Sequence, residues 1–166
     1  MVDSLSVEAR SRNMSRIRGA HTRPERVLRS GLHRAGFRFR LHRTDLEGRP
    51  DIVLLRYSAV IFVHGCFWHQ HPGCRDATRP KTRDKFWAEK FAQNHLRDER
   101  QKAALLGAGW RVLTVWECAL KAAGTRGNAI AEAIRWIRSS SRCEEIARPL
   151  RGSDNRSNAQ PTFNDG

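Results

Sequence analysis

Apolar residues fall along this chain in two rhythms, one helical and one alternating. The stretch "HTRPERVLRSGLHRAG" predicts a helix: Thr22 is an N-cap candidate, Pro24 falls in the first turn, Leu28 and Leu32 are four apart, and Gly36 is a stop. Next, "FRFRLH" (37–42) alternates apolar and basic residues, which predicts a strand with one buried and one cationic face. After the turn-like "DLEGRP" comes Asp51, then the apolar runs "IVLL" and "AVIFVH" separated by "RYS". These read as two central strands joined by a tight hairpin. A long helix is predicted from a capping Asp84 to Gly107, with Trp87 and Phe91 on one face, followed by a buried strand "WRVLTVW". A last amphipathic helix over 128–138 carries Ile130, Ile134 and Ile137.

This order of elements predicts an α/β fold: one mixed β-sheet flanked by helices, within a single domain over 23–138. Residues 1–22 read as a basic N-terminal arm. Beyond about Ser139 the chain turns to Ser, Arg, Asn and Gly, which cannot repay the entropy of ordering, so 139–166 is expected to be a disordered basic tail holding a spare Cys143.

Charge narrows the partner. Lys and Arg number 31 against 17 for Asp and Glu, a net charge of +14 with a pI near 11.2, which points to a polyanion. The first 43 residues hold eleven arginines and only three carboxylates, Asp3, Glu8 and Glu25, so the arm is expected to lie against phosphates rather than form a merely solvated face. No apolar run approaches the ~20 residues that span a bilayer, which excludes membrane insertion. No secretory signal is visible at the N-terminus, so a reducing cytoplasmic setting is expected, with Cys66, Cys74, Cys118 and Cys143 as thiols or metal ligands.

Candidate chemistry concentrates in "VIFVHGCFWHQHPGC". Asp51, at the mouth of the first hairpin strand, reads either as ordinary turn chemistry after Pro50 or as a ligand for a hard cation. The hairpin would bring it near His64, with Glu25 on the preceding helix. A second acid and a backbone carbonyl would complete an oxygen set suited to Mg²⁺, and His64 or His69 could move protons. Cys66, His69, His71 and Cys74 allow two overlapping zinc spacings, C-x-x-H and H-x-x-C. Adding Cys118 from "WECAL" would give a closed tetrahedral set of Cys66, His71, Cys74 and Cys118 and free His69, the alternative for Cys118 being a small buried hydrophobe. Phe67 and Trp68 are adjacent rings in a loop that cannot both point inward easily, so at least one is expected to meet a partner; Phe86 and Trp87 invite the same reading, with core packing the alternative for Trp87. Asp98 on the long helix is not distinguishable from a solvated carboxylate by pattern.

The segments "GRPDIVL", "VIFVHGCFWH", "FWAEKFAQN", "RD" and "GWRVLTVWECAL", in this order and spacing, resemble the very-short-patch repair mismatch endonucleases, over about Ser11 to Leu120. The resemblance implies a restriction-endonuclease-like fold with a structural zinc, and an enzyme that nicks one strand beside the thymine of a T:G mismatch. It further implies Mg²⁺ held by Asp51 and the main-chain carbonyl of Val63, His69 as the catalytic histidine paired with Asp98, and His64 and Glu25 in support. Zinc would go to Cys66, His71, Cys74 and Cys118, and Phe67, Trp68 and Phe86 or Trp87 would be inserted beside the mismatch. Two positions depart from the pattern: Val63 stands where well-known members have threonine, and Cys74 follows His71 at one residue more than the expected spacing. The leading expectation is thus a monomeric Mg²⁺-dependent nicking enzyme acting on mismatched double-stranded DNA at the nucleoid, with a mismatch-repair protein as candidate partner. The rivals are a nuclease for another lesion or foreign DNA, and a zinc-stabilised DNA-binding protein without catalysis.

Overall fold

The computed structural model describes residues 19–149. The expected basic arm and tail therefore lie largely outside the described residues. Helix α1 (Arg23–Arg34) opens with a reciprocal capping box, Thr22 accepting from the Glu25 backbone and Glu25 accepting from the Thr22 backbone, with Pro24 in the first turn. Strands β1 (Ile52–Leu54) and β2 (Ala59–His64) form the expected hairpin, turned by a 3₁₀ segment (Leu55–Tyr57) and a left-handed Ser58. Helix α2 (Asp84–Gly107) carries the chain back across the sheet to β3 (Arg111–Trp116), and such a crossover is what lets β3 lie parallel to β2. A short α3 (Glu117–Lys121), then α4 (Ala123–Arg138) and β4 (Cys143–Ile146) complete the order.

The sheet runs β1-β2-β3-β4, with β1 antiparallel and the other two pairings parallel, so it is mixed and flanked by helices as expected. Because side chains alternate across a strand, it buries two separate cores. On one face Ile52, Leu54, Ala59, Ile61, Leu113, Val115 and Ile146 pack against Leu28 and Leu32 of α1 and Ala129, Ala133, Trp136 and Ile137 of α4. On the other, Val53, Val60 and Val112 meet Leu105 near the end of α2. That helix has little amphipathic character, burying only Phe91, Asn94 and Leu105 among its 24 residues. Its N-terminal half therefore stands off the sheet, and clefts open on either side of it.

Four expectations change. The segment 37–42 makes a single antiparallel bridge, Arg40 to Val53, through Arg40 N–H to Val53 O (2.9 Å) and Val53 N–H to Arg40 O (2.8 Å). His42 then takes a positive φ of 46°, which turns the chain away before a ladder can extend. Asp84 is the first helical residue rather than a cap, behind a left-handed Arg83. The last helix starts at Ala123, five residues earlier than its isoleucine spacing indicates, because Thr125 Oγ1 and Arg126 Nε satisfy the carbonyls of Ala119 and Leu120 where α3 ends. Residues Cys143–Ile146, assigned to the tail by composition, are a sheet strand. Only Ile146 is fully buried there, so the segment carries no apolar rhythm; backbone pairing to β3 orders it. Arg111 secures the approach, donating to the carbonyls of Trp136 (2.6 Å), Ile137 (3.0 Å) and Ser141 (2.9 Å).

Candidate functional site

The parallel pairing of β2 with β3 sets His64 beside Trp116, so the chain following each strand emerges at one edge of the sheet. From β2 comes the loop 65–74 and from β3 comes Cys118. There the side chains of Cys66, His71, Cys74 and Cys118 converge, with their ligand atoms all within 4.8 Å of one another. His71 Nδ1 lies 3.7 Å from Cys66 Sγ and 3.6 Å from Cys118 Sγ. A tetrahedral ion with Zn–S near ~2.3 Å and Zn–N near ~2.0 Å sets S···N edges of roughly 3.5 Å, so this donor set has the dimensions as well as the chemistry of a structural zinc site. Burial pushes the thiols of Cys66 and Cys118 well up, an arrangement that favours the neutral forms until a dication binds the thiolates. The Trp116 ring stacks on His71 at 4.2 Å and 12°, fixing the imidazole plane. His69 stays outside the set, so the structure resolves the two overlapping spacings in favour of His71.

On the α1 side of that loop a cleft of about 990 Å³ gathers Glu25, His42, Asp51, Val63, His64, Trp68, His69, Asn94, Asp98 and Glu117. Two clusters lie in it, Glu25/His42/Asp51 and His64/His69/Asp98. Asp51 Oδ2 accepts the Val63 N–H at 2.7 Å, and His42 Nδ1 lies 3.6 Å from Asp51 Oδ1. Desolvation raises the Asp51 carboxyl to about 7, with the charge of Glu25 adding to it and the Val63 N–H opposing. A half-buried acid in that condition, an oxygen donor beside a second acid, fits a hard dication that would replace its proton.

Glu25 is 2% exposed and fully engaged. Its Oε1 accepts from the backbone and hydroxyl of Thr22, and its Oε2 from the His21 N–H (3.0 Å) and Arg29 Nη2 (2.5 Å). Arg29 also reaches His21 Nδ1 and His42 Nε2, each at 2.9 Å. Glu25 thus organises the wall beside Asp51 and has no oxygen to spare as a ready-made ligand.

Across the cleft, His69 donates Nδ1–H to Asp98 Oδ2, which leaves Nε2 with its lone pair. Burial raises the Asp98 pKa, but the His69 hydrogen bond and charge together with His64 and Arg97 outweigh it and the net shift is downward. The His64 ring stacks on His69 at 3.9 Å and 7°. Desolvation, then the neighbouring His69, hold His64 down to about 3, so it is neutral at physiological pH. Parallel stacked imidazoles point their lone pairs along separate planes, a poor arrangement for sharing one ion and a good one for fixing a ring.

Phe67 and Trp68 project from the loop 65–74 into an aromatic group with Trp87 and Phe91 of α2, Phe67 edge-to-face with the other three and Trp68 tilted against Trp87, with centroids 5.1 to 6.2 Å apart. Phe91 is buried, while Phe86 joins at the rim, 46% exposed and 5.4 Å from Trp87. One aromatic group thus spans core to solvent beside the cleft.

The structure adds site residues that pattern did not single out: His21, Arg29 and His42 around the acids, and Asn94 and Glu117 around the loop. His42 sat in an assumed strand, and the others carry no local motif. The one sequence signal is that Arg29 and Asn94 are polar residues at buried helix positions.

A loop fastened by a Cys₃His cluster thus holds rings beside a cleft that carries a half-buried acid and a carboxylate-oriented histidine, a donor set able to take a hard cation and move a proton. The comparisons agree. Residues 2–75 match the family model described as DNA mismatch endonuclease Vsr. The nicking enzyme V.XorIIP of Xanthomonas oryzae pv. oryzae is 52% identical over 75% of this chain and 90% of its own length. DNA mismatch endonuclease Vsr of Escherichia coli is 46% identical over 73% of this chain and 77% of its own, and V.NmeAIP of Neisseria meningitidis is 40% identical over 73% and 86%. The chain belongs to the Vsr family and is a DNA nicking endonuclease.

Proposed function

We propose that this enzyme nicks one strand of duplex DNA next to the thymine of a T:G mismatch, in very-short-patch repair. The observation that carries the reading is the meeting, in one cleft, of Asp51 with the His69–Asp98 pair, directly beside rings braced by the Cys₃His cluster. Asp51 and the Val63 carbonyl would hold Mg²⁺, which when bound polarises the scissile phosphate and stabilises charge on the pentacoordinate state. His69 Nε2 takes the proton of the attacking water, and Asp98 holds the tautomer and stabilises the resulting imidazolium. His64 fixes the His69 ring by stacking, and Glu25, through Arg29 and His42, fixes the wall beside Asp51.

The rings of Phe67, Trp68, Trp87 and Phe86 wedge beside the mismatch. Weak pairing lowers the cost of unstacking there, so deformability contributes to recognition. The zinc-type clamp keeps the wedge rigid, and the excess of 14 positive charges supplies the phosphate attraction. The enzyme acts as a monomer on DNA at the nucleoid, with a mismatch-repair protein as partner. Among the described residues no helix is long and apolar enough to cross a membrane.

The test is a nicking assay with magnesium on duplexes carrying each mismatch, a junction and a single strand. Selective nicking beside T in T:G supports the reading. Equal cutting of other substrates transfers the enzyme to another lesion, and binding without cutting removes the catalytic assignment. Asp51→Ala and His69→Ala are expected to bind the T:G duplex but not nick it.

A further inference from the structure

Three consecutive residues at the end of β3 grip the loop that presents Phe67, Trp68 and His69. Trp116 stacks on His71, and Cys118 enters the thiol cluster. Between them Glu117 faces the reaction cleft, where its Oε1 accepts the Cys66 N–H at 3.0 Å and stands 3.2 Å from Lys121 Nζ. The peptide it holds is the base of a tight turn: His69 N–H donates to Gly65 O at 3.1 Å and His71 N–H to Cys66 O at 3.0 Å. A Cβ placed on Gly65 would lie 3.4 Å from Trp68 Cδ1 and 3.9 Å from Glu117 Oε1, so carboxylate, turn and indole form one layer. The far side of that turn is tied to α2 by Asn94 Nδ2, which donates to Trp68 O at 3.0 Å.

A Cys₃His clamp fixes three sulfurs and one ring nitrogen. It leaves the plane of the 65–66 peptide free to rotate about the bonds that precede Cys66 Sγ, and His69 and Trp68 both hang on that peptide through the turn. We propose that Glu117 is a positioning residue: by holding the Cys66 N–H it sets the turn so that His69 and Trp68 reach the DNA together. This rests on the reading of His69 and Trp68 given above. Glu117 acts as a neutral-compatible acceptor here, a duty that an amide oxygen can perform, whereas binding a cation or carrying a proton needs the carboxylate. The conservative variant therefore separates the two roles.

The experiment compares wild-type protein, Glu117→Gln and Glu117→Ala in zinc content per chain, hydrogen exchange over the peptide spanning 65–69, and single-turnover nicking of a T:G duplex with 2-aminopurine next to the mismatch. In Glu117→Ala the zinc content is expected to stay at the wild-type level while exchange over 65–69 accelerates. Its nicking rate at saturation falls about tenfold or more with little change in the concentration for half-saturation, as expected for loss of one partly buried hydrogen bond at the loop base. The 2-aminopurine rise, which reports ring insertion, diminishes with it. Glu117→Gln recovers most of all three.

Wild-type exchange and nicking in Glu117→Ala overturn the proposal. So does a Glu117→Gln as slow as Glu117→Ala with zinc intact, which would make the charge itself the active feature, and so does zinc loss in Glu117→Ala, which would make Glu117 part of the clamp. If the wild-type protein fails to nick any mismatch, the functional reading fails, while zinc content and exchange still decide the role of Glu117.

Discussion

The Cys₃His cluster and the candidate reaction cleft share one loop and are built in opposite ways. Three of the four cluster ligands lie within nine residues, 66 to 74, and the fourth arrives from the neighbouring strand end; the set is compact and soft, and stacked Trp116 closes it. The cleft draws on Glu25 in α1, His42 in a loop, Asp51 before β1, His64 at the end of β2, His69 in the loop after it, Asp98 in α2 and Glu117 in α3, and its donors are oxygens and imidazoles open to a large space. A closed site stores stability and an open one can receive a substrate. The loop 65–69 joins the two, carrying Cys66 of the first and His69 of the second.

The comparison breaks most sharply at Asp51. Asp51→Asn is expected to lower nicking by a thousandfold or more on the order-of-magnitude scale of losing a metal-assisted step, with zinc content unchanged. If zinc content falls in parallel, the two regions are one unit. The reciprocal change is Cys118→Ser. It should release zinc, remove a sizeable part of the roughly 10–16 kcal/mol that a structural zinc can contribute, and abolish nicking only as a consequence of the loosened loop. Equilibrium unfolding followed by metal analysis checks it, and full stability without zinc would deny the cluster its structural role.

Asp98→Asn tests the imidazole half of the cleft. It should cost about 10² in nicking rate with duplex affinity retained, because the amide supports the wrong His69 tautomer and cannot stabilise the imidazolium. An unchanged rate would reduce Asp98 to a surface carboxylate.

The smallest effect is on stability against pH in protein free of divalent ions. The Asp51 pKa is raised to about 7 in the folded state, chiefly by desolvation, from an ordinary unfolded value near ~3.9. The folded form then holds its proton more tightly, so this contribution is fully present below about pH 4 and is lost as pH rises through 7. Melting of the wild type relative to Asp51→Asn should therefore decline across that window, and magnesium should reverse the decline at the upper end. A flat difference would mean that Asp51 is solvated as in the unfolded chain.

Much of the fold was legible in the chain because its strongest signals are local. The Thr22 cap with Pro24 in the first turn, the paired apolar runs around "RYS", and "WRVLTVW" each need only neighbouring residues to act, and each became the expected element. Expectation failed where a partner decides. Strand 37–42 shrank to one bridge because His42 turns away toward the acids, and β4 formed from a polar segment because the β3 edge offered backbone groups to pair. Within the site, the clustering of Cys66, His69, His71 and Cys74 at zinc-type spacing was readable, since chelation by near neighbours leaves a short-range pattern. The roles of Arg29, Asn94 and Glu117 were not, because each meets its partner across the fold rather than along a helix face or strand.

The sequence by itself determined the start of α1, the hairpin, the basic balance and the concentration of soft ligands and rings between residues 60 and 74, since propensity, alternation and composition act over a few residues. Residue patterning left open which of His69 and His71 joins the thiols and gave Asp98 no partner; the family resemblance implied both answers, and the tertiary structure set them and brought Glu117 to the turn between clamp and cleft. Those choices depend on distances between atoms far apart in the chain, and they are fixed by the parallel register of β2 with β3 and by the long crossover helix that lies over the end of the sheet.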